Sequence, residues 1–158
     1  ASLNDVPAAL ESSGGNEVKA LEVLRTRGAA IAEKRAGRTA AQGRVECYQH
    51  HDGRLASVVE INCETDFVAR TQDFAQFCRD VAMQVAAMGP ACITREEMSA
   101  GASTAPEQVK ALCLLEQPFV KDQGITVSDM LKALVAKTGE NVVIRRFARF
   151  AVGEAAAN

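Results

Sequence analysis

The sequence has no tryptophan and few aromatic residues of any kind. Aromatic types make up 4% of the 158 residues, whereas hydrophobic types together make up 47%. Any core must therefore be aliphatic, filled by leucine, valine, isoleucine, methionine and much alanine. Charged residues make up 24%, which is typical of a globular chain and not of a disordered one. The length predicts one compact domain, or one domain with a small appendage.

An excess of charge and a long hydrophobic run are also missing. Lys and Arg number 18, Asp and Glu number 20, and the formal net charge is −2. This near-balance argues against a general binder of nucleic acid or of membrane surfaces. The longest uncharged run, from Val81 to Thr94, is too short to cross a bilayer, and the first residues show no signal-peptide pattern. We therefore expect no membrane association.

The five cysteines form no C-x-x-C pair, and their number is odd. They predict neither a disulfide framework nor a zinc site, but reduced, small hydrophobic residues in a reducing compartment. Cys63 has no cationic neighbour in sequence that would lower its pKa, so a thiol enzyme is not predicted. His50 and His51 are adjacent on a loop without a third ligand, so no metal site is predicted either. No P-loop, nucleophile elbow or dinucleotide fingerprint occurs.

Helix signals occur near the amino end, in the middle and near the carboxyl end. Asn16 can cap the second of two short helices, and Gly28 is expected to end it. Residues from Asp73 to Met88 form the clearest helix pattern, because their apolar residues recur at the 3–4 spacing of one buried face. Ser128 is expected to cap a last helix.

Alternating polar and apolar residues predict three strands, at 44–48, 54–61 and 141–152. Asp52 and Gly53 between the first two are typical of a hairpin turn. In the last strand, one uninterrupted alternation would place Ile144 and Phe150 on one face and Phe147 on the other. The predicted fold class is α+β, a small three-stranded antiparallel sheet covered by helices and preceded by a partial helical module.

Residues 62–70 join the second strand to the clearest helix. Thr65 can cap a short turn that begins with Asp66 and Phe67. An acid and a large aromatic at such a junction can project outward as a wedge. Phe67 also lies about two helical turns before Phe74, so it could extend the buried stripe of one continuous helix. From periodicity alone both interpretations stay open.

These residues also carry a family resemblance. Asn-Cys-Glu-Thr-Asp-Phe-Val-Ala-Arg at 62–70 is similar to the signature of the translation elongation factor Ts family. Leu-Leu-Glu-Gln-Pro-Phe-Val-Lys-Asp at 114–122 and Gly-Glu-Asn-Val-Val-Ile-Arg-Arg-Phe at 139–147 resemble two later blocks of that family. Residues 5–28 resemble the later part of its ubiquitin-associated-like (UBA-like) module. The order of the blocks fits a short, single-core form.

The resemblance implies a guanine nucleotide exchange factor for elongation factor Tu. In the family an Asp-Phe pair inserts between helices of the GTPase near its Mg²⁺ and phosphates, which assigns this role to Asp66 and Phe67. Thr65, Val68 and Ala69 would shape the supporting turn. Because exchange makes and breaks no covalent bond, we expect no enzyme, no cofactor or metal, and no direct binding of nucleotide.

The resemblance also implies a division of the chain into a partial UBA-like module, a basic Ala-rich linker, the core domain and a tail, at 1–28, 29–43, 44–153 and 154–158. In the family another helix usually comes before the position of Asp5, and this sequence does not include it; the segment between Pro106 and Leu114 also looks shortened. Either the sequence lacks disordered parts of the protein, or the chain is a reduced version. One core unit implies a homodimer paired through the sheet. Ala148 stands where some short forms have a cysteine, so this pairing would be non-covalent there.

Two other functions are kept as alternatives. The first is a structural or adaptor subunit of a larger assembly without exchange activity, which the shortened segments favour. The second is an RNA-binding ribosome accessory protein that uses a basic strip around Lys34, Arg35 and Arg38. No aromatic residues interleave there for base stacking, so RNA is not the expected partner. The expected location is a bacterial cytoplasm, with the matrix of a mitochondrion or plastid as the alternative.

Overall fold

The fold is an antiparallel sheet with helices packed on one side. The computed structural model describes residues 5–98 and 105–155. Its helices are α1 (Asp5–Ser12), α2 (Glu17–Arg35), α3 (Asp66–Ala69), α4 (Gln72–Met88), α5 (Pro106–Leu112) and α6 (Val127–Thr138). Its strands are β1 (Gln42–Gln49), β2 (Leu55–Cys63), β3 (Pro118–Phe119), β4 (Asp122–Thr126) and β5 (Val143–Ala151). The main sheet has the order β1-β2-β5, and β3 pairs with β4 separately. The predicted α+β class and three-stranded antiparallel sheet are confirmed.

β1 and β2 form the predicted hairpin. The Asp52 carboxylate accepts a hydrogen bond from Arg54 N–H at 3.0 Å, and Gly53 turns the loop with a φ of +70°. At the other end of the hairpin, Gly43 lies so close to β2 that a Cβ there would stand 2.2 Å from the carbonyl oxygen of Ile61. Only glycine permits this approach. The register is therefore held at both ends.

β5 pairs with β2 but does not alternate without interruption. The register shifts at Arg145, which is a β-bulge between two regular pairs, Ile61 with Ile144 and Glu60 with Arg146. Beyond the bulge Phe147 packs against the core, on the same face as Ile144, while Phe150 is exposed on the opposite face. The predicted faces of this strand are therefore wrong, because one extra residue moves every side chain that follows it to the opposite face of the sheet.

α4 covers the sheet and supplies much of the core. Thr71 Oγ1 accepts a hydrogen bond from Phe74 N–H at 3.3 Å, and Gly89 ends the helix with a φ of +55°. The predicted helix from Asp73 to Met88 is confirmed. The buried main core is aliphatic apart from two phenylalanines and two cysteines, and it includes Val59, Ile61, Cys63, Phe74, Phe77, Cys78, Val81, Val85, Leu114, Leu134 and Ile144.

α6 is capped by Thr126 and not by Ser128. Thr126 Oγ1 accepts a hydrogen bond from Asp129 N–H at 3.1 Å, and the Asp129 carboxylate accepts one from Thr126 N–H at 2.9 Å. This reciprocal pair satisfies two otherwise unpaired backbone donors, which a cap at Ser128 would not achieve. The helix therefore begins two residues earlier in the chain than a Ser128 cap would require.

α2 continues past Gly28, so the predicted helix end there is wrong. Gly28 is buried against α6, where an added Cβ would lie 3.7 Å from Ala136 Cβ. Packing against α6 offsets the cost of one interior glycine, roughly 1 kcal/mol relative to alanine. Residues 29–35 of the predicted linker are thus helical. None of the helices in the described ranges is long and apolar enough to span a bilayer.

Candidate functional site

The candidate site is the segment between β2 and α4, residues 64–71, which we call the junction turn. Thr65 Oγ1 accepts a hydrogen bond from Val68 N–H at 3.3 Å and so caps α3. Arg70 ends this one-turn helix, and its N–H donates to the Asp66 carbonyl oxygen at 3.2 Å. Thr71 then caps α4. Two successive caps break the helical segment, so the continuous helix that would bury Phe67 does not form.

Phe67 stands out from the surface with 82% of its side chain exposed. Val68 and Ala69, the next residues of α3, are partly buried against the main core. Asp66 is also exposed, and its carboxylate lies 3.4 Å from the Arg70 guanidinium. The turn thus exposes an acid and an aromatic ring on its outer side, while its other face is anchored to the core.

Glu140, which follows α6, holds the junction turn in place. Its Oε1 accepts hydrogen bonds from Glu64 N–H at 3.1 Å and Thr65 N–H at 2.9 Å. Its Oε2 accepts one from Thr65 Oγ1 at 2.7 Å. In return, Glu64 Oε2 accepts a hydrogen bond from Asn141 N–H at 2.7 Å. We call Glu64, Glu140 and Asn141 the carboxylate clamp; bonds to an ionised acceptor are the stronger kind.

The end of α2 joins the clamp from the other side. Asn141 Nδ2 donates to the Arg38 carbonyl oxygen at 2.7 Å, and the Arg35 guanidinium donates to the Gly139 carbonyl oxygen. The Arg38 guanidinium lies 3.8 Å from the Glu64 carboxylate. Two of the three residues of the alternative RNA strip are therefore engaged within the molecule, while Lys34 is exposed. This arrangement favours a structural role for Arg35 and Arg38.

Cys63 lies beneath the junction turn and is not placed for nucleophilic chemistry. Its Sγ donates to the Thr65 carbonyl oxygen at 3.1 Å. Burial, with a smaller contribution from the Glu140 carboxylate, raises the pKa of the Cys63 thiol to about 11. Because the thiolate is the reactive form, this thiol is a poor nucleophile at neutral pH.

His50 and His51 lie in the loop between β1 and β2, whereas Glu64 of the clamp follows the opposite end of β2. Their ring centroids are 4.1 Å apart, and Tyr48 Oη is 3.1 Å from His50 Nδ1. Within residues 5–98 and 105–155, no three histidine, cysteine or acidic side chains converge where a metal ion could be held.

Capping alone predicts that Thr65, Asp66 and Phe67 share one turn, and the family resemblance adds Val68 and Ala69. The structure places all five in α3 and its cap. The sequence patterns did not predict the carboxylate clamp. Its only signal is that Glu140 and Asn141 stand in the third family-like block, directly after the glycine that ends α6. Pairing of that block with the junction turn cannot be read from one chain, because the two are far apart in sequence.

Known proteins resemble this chain along nearly its whole length. The family model described as Elongation factor TS matches residues 2–110. Elongation factor Ts of Carboxydothermus hydrogenoformans is 42% identical across an alignment that covers 98% of this chain and 83% of that protein. Elongation factor Ts of Rubrobacter xylanophilus is 43% identical across an alignment that covers 95% of this chain and 91% of that protein. The resemblance drawn from the three sequence blocks is confirmed, and the chain belongs to the elongation factor Ts family.

Proposed function

We propose that this chain is a guanine nucleotide exchange factor that promotes the release of GDP from elongation factor Tu during translation. The observation that carries the proposal is the exposed Phe67 on a turn whose backbone is held by the carboxylate clamp. Membership of the family supports the choice of partner. The chain acts by binding alone, without making or breaking a covalent bond.

In the proposed mechanism Asp66 and Phe67 insert between helices of the GTPase, near its Mg²⁺ and phosphates. Burying the Phe67 ring is worth roughly 1.5–3 kcal/mol. Because the junction turn is already ordered, little further conformational entropy is lost on binding. The Asp66 carboxylate can leave its exposed ion pair with Arg70 at small cost and reorganise hydrogen bonds at the metal site.

The exchange follows from competition for one two-state element. The ring is buried only when the GTPase helices around the nucleotide move, so factor and Mg-nucleotide weaken each other's binding. Reciprocity requires the two effects to be equal. Nucleotide can therefore displace the factor later, which completes a cycle without covalent chemistry.

We also propose that the chain forms a homodimer through the outer face of its sheet, the face turned away from α4. Paired registers put exposed apolar side chains of all three strands on this outer face: Val45, Cys47, Val58, Val143 and Phe150. Two copies stacked face to face would bury them. Ala148 lies in the same row as Cys47 and Val58, so it offers no thiol for a cross-link at that position.

The rate of release of labelled GDP from elongation factor Tu tests the exchange proposal. We expect the chain to accelerate release, and Phe67→Ala to remove most of the acceleration. Loss of the buried ring corresponds to a decrease of roughly 10- to 150-fold in the accelerated rate. Melting curves of the variant should match the wild type, because Phe67 contributes little to the core.

Met88→Ala is the matched control. Met88 is a large apolar side chain, 48% exposed, at the far end of α4, which is roughly 25 Å long. We expect this variant to accelerate GDP release like the wild type. Unchanged GDP release in the presence of the wild-type chain would contradict the exchange role. Stable binding without acceleration would instead favour the adaptor function.

A further inference from the structure

A pair of buried cysteines lies away from the junction turn. The Sγ atoms of Cys92 and Cys113 are 3.3 Å apart, and the two residues are 8% and 0% exposed. With Val109 they form a small cluster separate from the main core, and Met98 packs against this cluster. The segment that contains α5 therefore has few apolar contacts of its own to hold it.

The backbone sets these two thiols side by side. Cys92 and Cys113 form an isolated parallel bridge, in which Cys92 N–H donates to Leu112 O at 3.2 Å and Leu114 N–H donates to Cys92 O at 2.9 Å. Residues opposed in this way lie about 4.8 Å apart, with side chains on the same side. Disulfides span Cα separations of roughly 4.4–6.8 Å, so small side-chain rotations suffice to join the sulfurs.

We propose that Cys92 and Cys113 are a disulfide-forming pair that cross-links the ends of the α5 segment when the protein is exposed to a peroxide. This inference does not depend on the exchange function. It adds a redox role for two of the cysteines that the sequence predicts to be reduced, small hydrophobic residues.

The reaction runs in two balanced steps. The Cys92 sulfur, the more accessible of the two, loses its proton and attacks one oxygen of hydrogen peroxide. The O–O bond breaks, and the leaving hydroxide takes up that proton, so that a sulfenic acid and one water form. The Cys113 sulfur then attacks the Cys92 sulfur, the S–O bond breaks, and the leaving hydroxide takes the Cys113 proton as water. In sum, two thiols and one peroxide give one disulfide and two waters.

The surroundings make the pair slow to react and selective. Burial raises the pKa of the Cys92 thiol to about 11, so the thiolate is scarce at neutral pH and oxidation needs sustained exposure. Cys63 and Cys78 are completely buried, while Cys47 is exposed on β1. Cys47 is therefore the thiol that would obscure the result and must be removed first.

The test uses the full chain with Cys47→Ser, a nearly isosteric change on the outer face of the sheet, away from Cys92 and Cys113. After hydrogen peroxide treatment the protein is unfolded, alkylated and analysed by mass spectrometry. We expect loss of two alkylatable thiols, a cross-linked peptide that joins Cys92 to Cys113, and recovery of both thiols with dithiothreitol. Four unchanged thiols, or sulfinic acid on Cys92 without a cross-link, would overturn the proposal.

Cys113→Ser in the same background separates the two steps. We expect a sulfenic acid at Cys92 that dimedone traps, and no cross-linked peptide. A disulfide that still forms, through Cys63 or Cys78, would show that proximity of Cys92 and Cys113 does not select the pair and would overturn the proposal. The Cys47→Ser measurement stands by itself if the second variant fails to fold.

Discussion

At the residue scale, the threonines on either side of Phe67 keep its ring out of the core. Thr65 caps α3 and Thr71 caps α4, each through a side-chain oxygen that accepts a backbone N–H at 3.3 Å. A cap is worth about 1 kcal/mol, so two caps compete well with the burial of one ring. Local hydrogen bonding thus accounts for the exposure of Phe67.

A second residue-scale effect concerns pH. Burial raises the pKa of the Cys78 thiol to about 12 from its ordinary value of 9.0. Above pH 9 the unfolded chain releases this proton and the folded chain keeps it, so folding loses stability as pH rises from 9 towards 12. We expect the stability difference between wild type and Cys78→Ala to shift by about 1 kcal/mol between pH 8 and pH 10, at the expense of the wild type.

Urea unfolding at the two pH values measures this shift. Val81→Ala is the matched control, because it removes buried apolar volume from the same helix without a titratable group. Its stability difference from the wild type should be the same at both pH values. A pH-independent difference for Cys78→Ala would show that the buried thiol is not linked to folding.

The position of the junction turn could be predicted from local patterns, whereas the state of Phe67 could not. Thr65, Asp66 and Phe67 are read as cap and first turn because capping is a short-range effect. Apolar spacing allowed one helix through Phe67 and Phe74, and the choice depends on the free energies of two whole arrangements. Cys92 and Cys113 were likewise invisible as a pair, since only the folded backbone opposes them.

At the scale of elements, the carboxylate clamp joins three segments that share no local signal. Glu140 binds the junction turn, Glu64 binds the segment after α6, and Asn141 binds the segment after α2. Each carboxylate accepts backbone donors that the helix and strand ends leave without partners. The clamp therefore determines where the turn stands relative to the sheet.

Glu140→Ala should release the junction turn. Three hydrogen bonds to an ionised acceptor are lost, and we expect the free energy of unfolding to fall by about 1–3 kcal/mol. Amide hydrogen exchange is the sharper measurement: protection of the Thr65 N–H should be lost while that of the α4 amides is kept. Unchanged protection at Thr65 would show that the clamp does not hold the turn.

Glu116→Ala is the control for loss of a carboxylate. The Glu116 carboxylate pairs with Arg95 at 3.2 Å on the surface. Such pairs contribute 0–1 kcal/mol, so we expect a stability change of at most about 0.5 kcal/mol and normal protection at Thr65.

Element types were more predictable than their ends and faces. The hairpin and α4 follow from strong periodic patterns with clear turn residues. The bulge at Arg145, the continuation of α2 through Gly28 and the cap at Thr126 depend on partners from other elements. A strand's own alternation holds no information about an inserted residue, and a glycine ends a helix only where no packing favours its continuation.

At the scale of the whole molecule, the two faces of the sheet differ in what covers them. The inner face packs on α4 and forms the core. The outer face combines apolar side chains with the Glu60–Arg146 ion pair, whose atoms are 2.7 Å apart across neighbouring strands. An exposed face with several large apolar side chains is a candidate interaction surface. Because Arg145 and Arg146 are both paired with Glu60, we propose a second copy of the same face as the partner.

Val58→Lys tests this at the centre of the outer face, because Val58 lies on the middle strand between Cys47 and Ala148. In a dimer the two-fold axis places both lysines in one buried interface, where an unpaired charge costs several kcal/mol. We expect wild type to sediment at twice its chain mass of 16.8 kDa, and Val58→Lys to dimerise at least roughly 100-fold more weakly. Val18→Lys, on the exposed side of α2, should leave the dimer intact. A monomeric wild type at micromolar concentration, or a dimer that tolerates Val58→Lys, would mean that the outer face serves another partner.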